Sequence, residues 1–492
     1  MQQISISRRD LLDFLDQAEL KYPVETWEIQ GVHVWPLIKI DLFFRHVKSE
    51  GRDDELSSLI LKQQRRSRIE TMTRALIAFF RFILLFFKKK RQLDVFFSDS
   101  SGHRVMHKGA FINRYFKPIV DYFEGKNQNF SYLTINNDTD NVARYPSNEP
   151  LLFVHRYLLG AKLWRKAFEK RIRNKELTGY SDFCKELDNP RFEHLCVDKK
   201  FKNHIQHKVD DILAFSSIIQ LLIKKHKPKV IFELCYYSTL RFGINHAASL
   251  TGTKTVEIQH GGMGRDHVSY CGWRKLPMKG YNLLPQTFWL WDESSKQLIE
   301  SWTKGHGFHS AVLGGNPWLS YVKESTETYS FPQNRQIILY TLQYSEIPDH
   351  IIEVIKSTPA RFQWWIRLHP RKLESKTVII KVLTDSGIHP DQFEIEKATS
   401  YPLPTVLLNT HVHLSGSSGS IIEAAQMGVF SIILEEIGTI YYSDLITGGK
   451  AKAALSQKEI FETILAIEGA DRLERFDQSL YKSLAEKFVF NK

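Results

Sequence analysis

Between Lys229 and Ile258 the chain alternates: Lys229–Leu234 (KVIFEL) is a short apolar run, Leu240–Leu250 has helical spacing and closes at Thr251-Gly252, and Thr255–Ile258 (TVEI) is a second apolar run. The alternation returns after residue 330, as Gln336–Thr341 (QIILYT), a helix over Pro348–Ser357, Trp364–Leu368 (WWIRL), Val412–Leu414, a helix over Ile421–Met427 and Val429–Leu434 (VFSIIL). Apolar runs joined through helices by short links specify parallel strands, which are buried on both faces and need a crossover helix. The expected fold class is α/β with two Rossmann-like domains and a cleft between them. Residues 1–92 read as a helical N-terminal extension, 93–325 as the first Rossmann-like domain and 326–492 as the second with terminal helices. Gly314-Gly315-Asn316-Pro317 marks the turn between the two. In the first domain Leu93–Phe97 (LDVFF) and Phe130–Ile135 read as strands, 110–123 as a helix and 155–226 as largely helical.

Lys and Arg number 67 against 55 Asp and Glu, a net charge of +12, which favours an anionic partner. No helix-turn-helix, zinc-finger or RNA-binding signature accompanies the charge, so nucleic acid is not expected. The cysteines at 184, 196, 235 and 271 show no C-x-x-C spacing. Neither a zinc ribbon nor a disulfide framework is expected, and such sparse cysteine fits a reducing compartment. The N-terminus (MQQISISRRDLLDFLD) lacks the apolar core of a signal peptide, so a cytoplasmic location is expected. Ala75–Phe87 (ALIAFFRFILLFF) is followed by Lys88-Lys89-Lys90-Arg91. That stretch is too short to span a bilayer, which needs about 20 residues. Arg74, Arg81 and Lys88 fall on one helical face. The segment 74–91 is therefore either a buried helix with an arginine stripe or a helix lying peripherally on an anionic membrane surface.

Ligands of open parallel sheets sit at the C-terminal strand ends, so chemistry is sought there. His413-Leu-Ser415-Gly416-Ser417-Ser418-Gly419-Ser420 runs from a strand through a Gly/Ser loop into a helix carrying Glu423. Small residues admit an anion to free N–H groups and serine hydroxyls, and Glu423 is placed to accept from ribose hydroxyls. No Gly-Lys-Ser/Thr follows, so this is not a P-loop. Arg367, His369 and Pro370 end the next strand motif; the proline stops the strand and holds the imidazole at the sheet edge beside arginine, a setting for phosphate oxygens. Gln343 follows another strand. In the first domain Glu257 and His260 lie around a strand end rich in glycine, and Asp99 follows LDVFF; each is a candidate acid or base, with Glu233 a further one. Asp99 reads equally as an Asx turn and Glu257 as the partner of a nearby cation. Asp138-Thr139-Asp140 is a D-x-D of the kind that holds a divalent metal, but it sits in an Asn-rich loop where such pairs arise by chance. No metal and no resident cofactor are expected. His411 and His413 share a strand face without further ligands.

The stretches FFSDSSGHR, AASLTGTKTVEIQHGGMG, VLGGNPW, WWIRLHPR and HLSGSSGSIIEAAQMG resemble bacterial two-Rossmann-domain (GT-B) glycosyltransferases of surface polysaccharides. Over roughly residues 93–440, the order Gln-His-Gly, His-Pro, Ser-Ser is similar to capsule and O-antigen transferases that use CMP-activated acidic sugars, such as Kdo and polysialic acid transferases. The resemblance implies a metal-independent transfer from a nucleotide-activated sugar to a glycan or glycolipid acceptor. It implies that His369, Ser417 and Ser418 bind the nucleotide phosphate, and that an acidic base lies in the first, acceptor domain, for which Asp99, Glu233 and Glu257 compete. A similar order occurs in teichoic-acid glycerophosphotransferases; a CDP-glycerol-type glycerophosphotransferase or a UDP-sugar transferase is the alternative of the same class, and a non-catalytic scaffold of polysaccharide assembly is the reading from a different class.

Overall fold

The computed structural model describes residues 6–49, 68–87, 89–126, 129–138, 145–146, 148–169, 176–195, 197, 201–264, 267–324, 328–370, 372–467 and 480–490. Two all-parallel sheets dominate. The first contains β1 (Val95–Ser98), β2 (Tyr132–Asn136), β3 (Leu151–Phe153), β4 (Val230–Glu233), β5 (Lys254–Ile258), β6 (Thr287–Leu290) and β7 (Ser310–Leu313), in the spatial order 7-6-5-4-1-2-3. The second contains β8 (Gln336–Leu342), β9 (Phe362–Leu368), β10 (Phe393–Glu394), β11 (Thr410–Ser415), β12 (Ser431–Ile433) and β13 (Ala451–Ala453), in the order 10-9-8-11-12-13. Each order reverses once, between β1 and β4 and between β8 and β11, and those reversals open the crevices in which doubly wound sheets bind ligands.

Both faces of each sheet are covered, which is why the strands read as unbroken apolar runs. In the first sheet Phe96 and Ile231 face one core, and Phe97 and Phe232 face the other. In the second, Ile338, Trp364 and Val412 face one core while Ile337, Leu339 and Trp365 face the opposite one.

The N-terminal helices belong to the first lobe. α1 (Arg8–Lys21) and α2 (Trp35–Ser49) share a core with Phe183, Ile205, Tyr270 and Phe288. The fully buried Lys39 ammonium meets Glu19 at 2.6 Å, and Trp35 Nε1 donates to the same carboxylate at 2.8 Å. α3 (Arg68–Phe87) turns Phe82 and Leu85 inward against α4 (His155–Phe168) and α5 (Phe201–His226). Gly160 allows the first crossing, because a Cβ there would stand 2.1 Å from the Ala78 carbonyl oxygen. In the second lobe the Gly/Ser loop leads into α6 (Ser420–Gln426). α7 (Leu480–Phe490) then returns to the first lobe, where Tyr481 and Phe488 join Phe232 and Trp289.

Three expectations change. Residues 110–123 are not one helix: Ala110–Asn113 pairs with Arg104–His107 as a hairpin, and the helix starts at Lys117. Asn113 makes the break, its side-chain oxygen accepting from the backbone N–H of Tyr115 and Phe116. β6 and β7 lay unread between Leu284 and Gly314. The last helix packs on the first sheet rather than the second.

Candidate active site

The loops after β1 and β5 face those after β8, β9 and β11 across a cavity of about 960 Å³. Its walls carry Arg8, Arg104, Arg114 and Arg367 with His260, His267 and His369, against the carboxylates Asp138 and Glu423. A concave site with that excess of guanidinium suits a phosphate-bearing ligand, since arginine forks match phosphate oxygens.

From the second lobe, Gln343, Arg367, His369, Pro370, Ser417, Ser418 and Glu423 all line the cavity. Their present partners qualify their roles. The Ser417 amide donates to Gln343 Oε1 at 2.7 Å, and its hydroxyl reaches Glu435 at 3.3 Å. The Ser418 hydroxyl accepts from Ser420 N at 3.3 Å. The loop is therefore held by its own donors, with Tyr442 adding a hydroxyl bond to the Ser417 carbonyl at 3.0 Å. Arg367 Nη1 is spent on the carbonyls of Ala398 and Tyr401, at 2.6 and 2.7 Å, so only the rest of its fork is left for a ligand. Burial brings the Arg367 pKa down to about 10. Ser415 is not at the wall: it is fully buried, and its hydroxyl ties β11 to β8 through the Thr341 carbonyl at 3.2 Å.

Arg114, which the sequence reading missed, reaches from the first lobe to within 3.9 Å of Glu423. Burial raises the Glu423 carboxyl, and the positive charges of Arg114 and Arg367 oppose that rise. Its Oε2 has no hydrogen-bond partner among the described residues. Arg8, also missed, bonds the Tyr441 hydroxyl. The cavity thus has cations from both lobes around one carboxylate.

The acid–base candidates of the first lobe are mostly behind the wall. Asp99 is fully buried and bound on both oxygens: Arg104 Nε donates to Oδ2 at 2.8 Å, while Asn113 and the Ser100 amide, at 2.6 Å, donate to Oδ1. Arg104 then reaches Glu149 at 2.7 Å. Burial carries the Asp99 pKa up to about 6 against the pull of Arg104. Glu257 is likewise fully buried, accepting from the Tyr270 hydroxyl at 2.8 Å and the Tyr236 amide at 3.3 Å. Burial and the neighbouring Glu233 carboxylate hold it protonated well above the usual carboxylate range. Glu233 accepts from Asn245 at 2.8 Å, also buried. The expectation that Asp99 and Glu257 face the acceptor is therefore corrected: both are internal braces. Of the catalytic candidates, only His260 lines the cavity, where burial pushes its pKa down to about 3 and leaves it a neutral imidazole. Asp138 lines the wall and accepts from the Ser101 amide at 2.6 Å. Thr139 and Asp140 lie outside the described residues, as do Arg371, Cys196 and Lys88.

No family model matches the chain, and no curated protein matches it. Solved structures do. A Listeria monocytogenes protein assigned as a UDP-N-acetylglucosamine 2-epimerase aligns over 82% of this chain and 98% of its own at 11% identity, with a TM-score of 0.50. The fold is GT-B. Weaker likenesses include the UDP-GlcNAc 2-epimerase of Neisseria meningitidis bound to UDP-GlcNAc (15% identity, 82% and 100% covered, TM-score 0.46) and the glycotransferase of kitacinnamycin (10%, 81% and 95%, TM-score 0.45). At such identities the shared property is the chain path of the GT-B fold.

Proposed function

We propose that the chain is a glycosyltransferase that moves a sugar from a nucleotide donor to a glycan or glycolipid acceptor of a surface polysaccharide. The observation that carries this reading is the cavity between the two switch points, with four arginines on its walls. The donor diphosphate or monophosphate lies at the second-lobe edge, met by His369, Arg367 and Arg114, and Glu423 takes the ribose hydroxyls. Charge grows on that phosphate as the glycosidic bond to the leaving group breaks, and fixed cations stabilise it. The acceptor enters along Ser100–Arg104 and His260–Gly264. A CMP-activated acidic sugar is the donor that the motif order favours; CDP-glycerol and UDP-sugars are the rivals. The Listeria neighbour, with its 2-epimerase assignment, supplies a second reading. Under it a nucleotide sugar alone, without acceptor, would yield an isomerised sugar.

A thermal-shift panel of CMP, CDP, UDP and GDP tests the donor site. A ligand at 100 times its Kd adds about 2.7 kcal/mol, a clear rise in melting temperature. One nucleotide should produce that rise in the wild type and a much smaller one in His369→Ala. No rise with any of them removes the reading, and leaves the scaffold alternative.

We also propose that α3 rests on an anionic membrane. Its outer face exposes Leu76, Phe80, Leu84 and Phe87, at 57, 57, 60 and 78%. Arg81, Lys89, Lys90 and Arg91 stand exposed beside them. Apolar area plus adjacent cations is the combination that holds a helix in the interface of acidic lipid. Among the described residues no helix is long and apolar enough to cross a membrane. The protein should sediment with phosphatidylglycerol vesicles and not with phosphatidylcholine ones. Leu84→Glu with Phe87→Glu should abolish that; equal sedimentation of the double variant contradicts it.

A further inference from the structure

Behind the first-lobe wall, and reaching it through His260, lies a group that the donor site does not use. His103 follows β1, Cys235 follows β4 and His260 follows β5, so the switch point of the first sheet brings together three residues far apart in the chain. Cys235 Sγ lies 2.9 Å from His260 Nε2 and 3.7 Å from His103 Nε2, and the ligand atoms of all three lie within 4.8 Å of one another. Zinc–sulfur and zinc–nitrogen bonds of about 2.3 and 2.0–2.1 Å put the donor atoms of a tetrahedral site about 3.3–3.6 Å apart, and the observed separations bracket that figure.

The surroundings aim the donors. Ser100 Oγ lies 2.9 Å from His103 Nδ1, which turns Nε2 toward the sulfur. On the other imidazole, Glu257 Oε1 stands 3.8 Å from His260 Nδ1. His260 Nδ1 and Glu257 Oε2 are both buried without a hydrogen-bond partner among the described residues. A carboxyl or carbonyl oxygen behind a ligating histidine, placed to accept from its other ring N–H, is the usual outer support of a metal-bound imidazole. Cys235 itself is held at φ +55°, a left-handed conformation that a cysteine adopts at a cost and keeps only where its surroundings fix it.

We infer that His103, Cys235 and His260 bind a thiophilic divalent cation of the zinc class, with the fourth coordination position left to water. Two imidazoles and a thiolate exclude magnesium and calcium, which take oxygen ligands, and suit zinc. Three protein ligands with one open position is the arrangement of sites that act on substrate rather than merely brace a fold. Because His260 lines the cavity, the cation would put a Lewis acid at the first-lobe wall, where neither Asp99 nor Glu257 reaches. A hydroxyl bound at the open position would lose its proton more easily. That consequence rests on the transferase reading; the binding of the cation does not.

The test is titration of chelator-stripped, reduced full-length protein with Co²⁺, a spectroscopic substitute for Zn²⁺. One equivalent should bind, with a thiolate-to-metal charge-transfer band in the near ultraviolet and intense tetrahedral d–d bands. Cys235→Ser and His103→Ala should lose the band, Cys184→Ser should keep it, and Ser100→Ala should weaken binding by roughly 10–100-fold. A second measurement needs no variant: Zn²⁺ should slow alkylation of Cys235 by iodoacetamide and leave that of Cys184 unchanged, as read by peptide mass. A wild type without the thiolate band, a Cys235→Ser protein that binds as tightly, or a Cys235 alkylated at one rate with and without Zn²⁺ overturns the inference. None of these readouts uses a nucleotide, so they stand apart from the donor panel.

Discussion

Asp99→Ala should lower folding stability by about 3–5 kcal/mol, the cost of removing one partner from a buried ion pair. Asp99 accepts from Arg104, Asn113 and the Ser100 amide, and its side chain has no exposure to solvent. Without it the buried Arg104 guanidinium loses its nearest counter-ion, while Glu149 and the Phe111 carbonyl, at 2.7 and 3.3 Å, remain among its acceptors. The Arg104–Asn113 register of the hairpin, which both residues hold, would loosen with it. Asp99→Asn should also destabilise, because the amide cannot serve as the counter-ion of Arg104. Urea unfolding measures both. A catalytic base at the cavity wall would behave otherwise: Asp99→Asn would then keep its stability and lose only turnover.

The second large effect belongs to Arg114→Met. Arg114 stands on the first lobe and comes within 3.9 Å of Glu423 on the second, so under the proposed reading it touches donor phosphate and joins the lobes. A hydrogen bond to a charged group contributes about 1.5–3 kcal/mol, which is roughly 10–150-fold in affinity. Isothermal titration of the stabilising nucleotide should show that loss in Arg114→Met. An unchanged Kd would place the phosphate elsewhere.

The central strands of both sheets were legible because strands covered on both faces read as runs without alternation: VFF, VIF, IILYTL and WWIRL are almost wholly apolar. β6 and β7 escaped notice because TFWL and SAVL are four residues each, too short to separate from a helix turn. The segment 110–123 carried apolar residues at helical spacing, and only the Asn113 side chain, turned back on the backbone, divides it. At the site, the second-lobe residues were readable as strand, loop and helix in sequence order. Arg8, Arg114 and Cys235 were not, since they come from separate stretches that only the fold brings together, and His103 and Arg104, though within FFSDSSGHR, carry no sequence sign of what they meet. Asp99 shows the limit of a strand-end carboxylate as a signal: a base facing a cleft and a brace claimed by Arg104 five residues later look alike in sequence.

Under the proposed function a nucleotide sits in the cavity between the lobes, on the second-lobe side. Hydrogen–deuterium exchange of the full chain, with and without the nucleotide that raises the melting temperature most, addresses it directly. Protection should concentrate in peptides covering 341–343, 368–370 and 416–423, with Arg114 the first-lobe site affected. Protection confined to other regions, or none in these peptides at saturating nucleotide, would contradict the account.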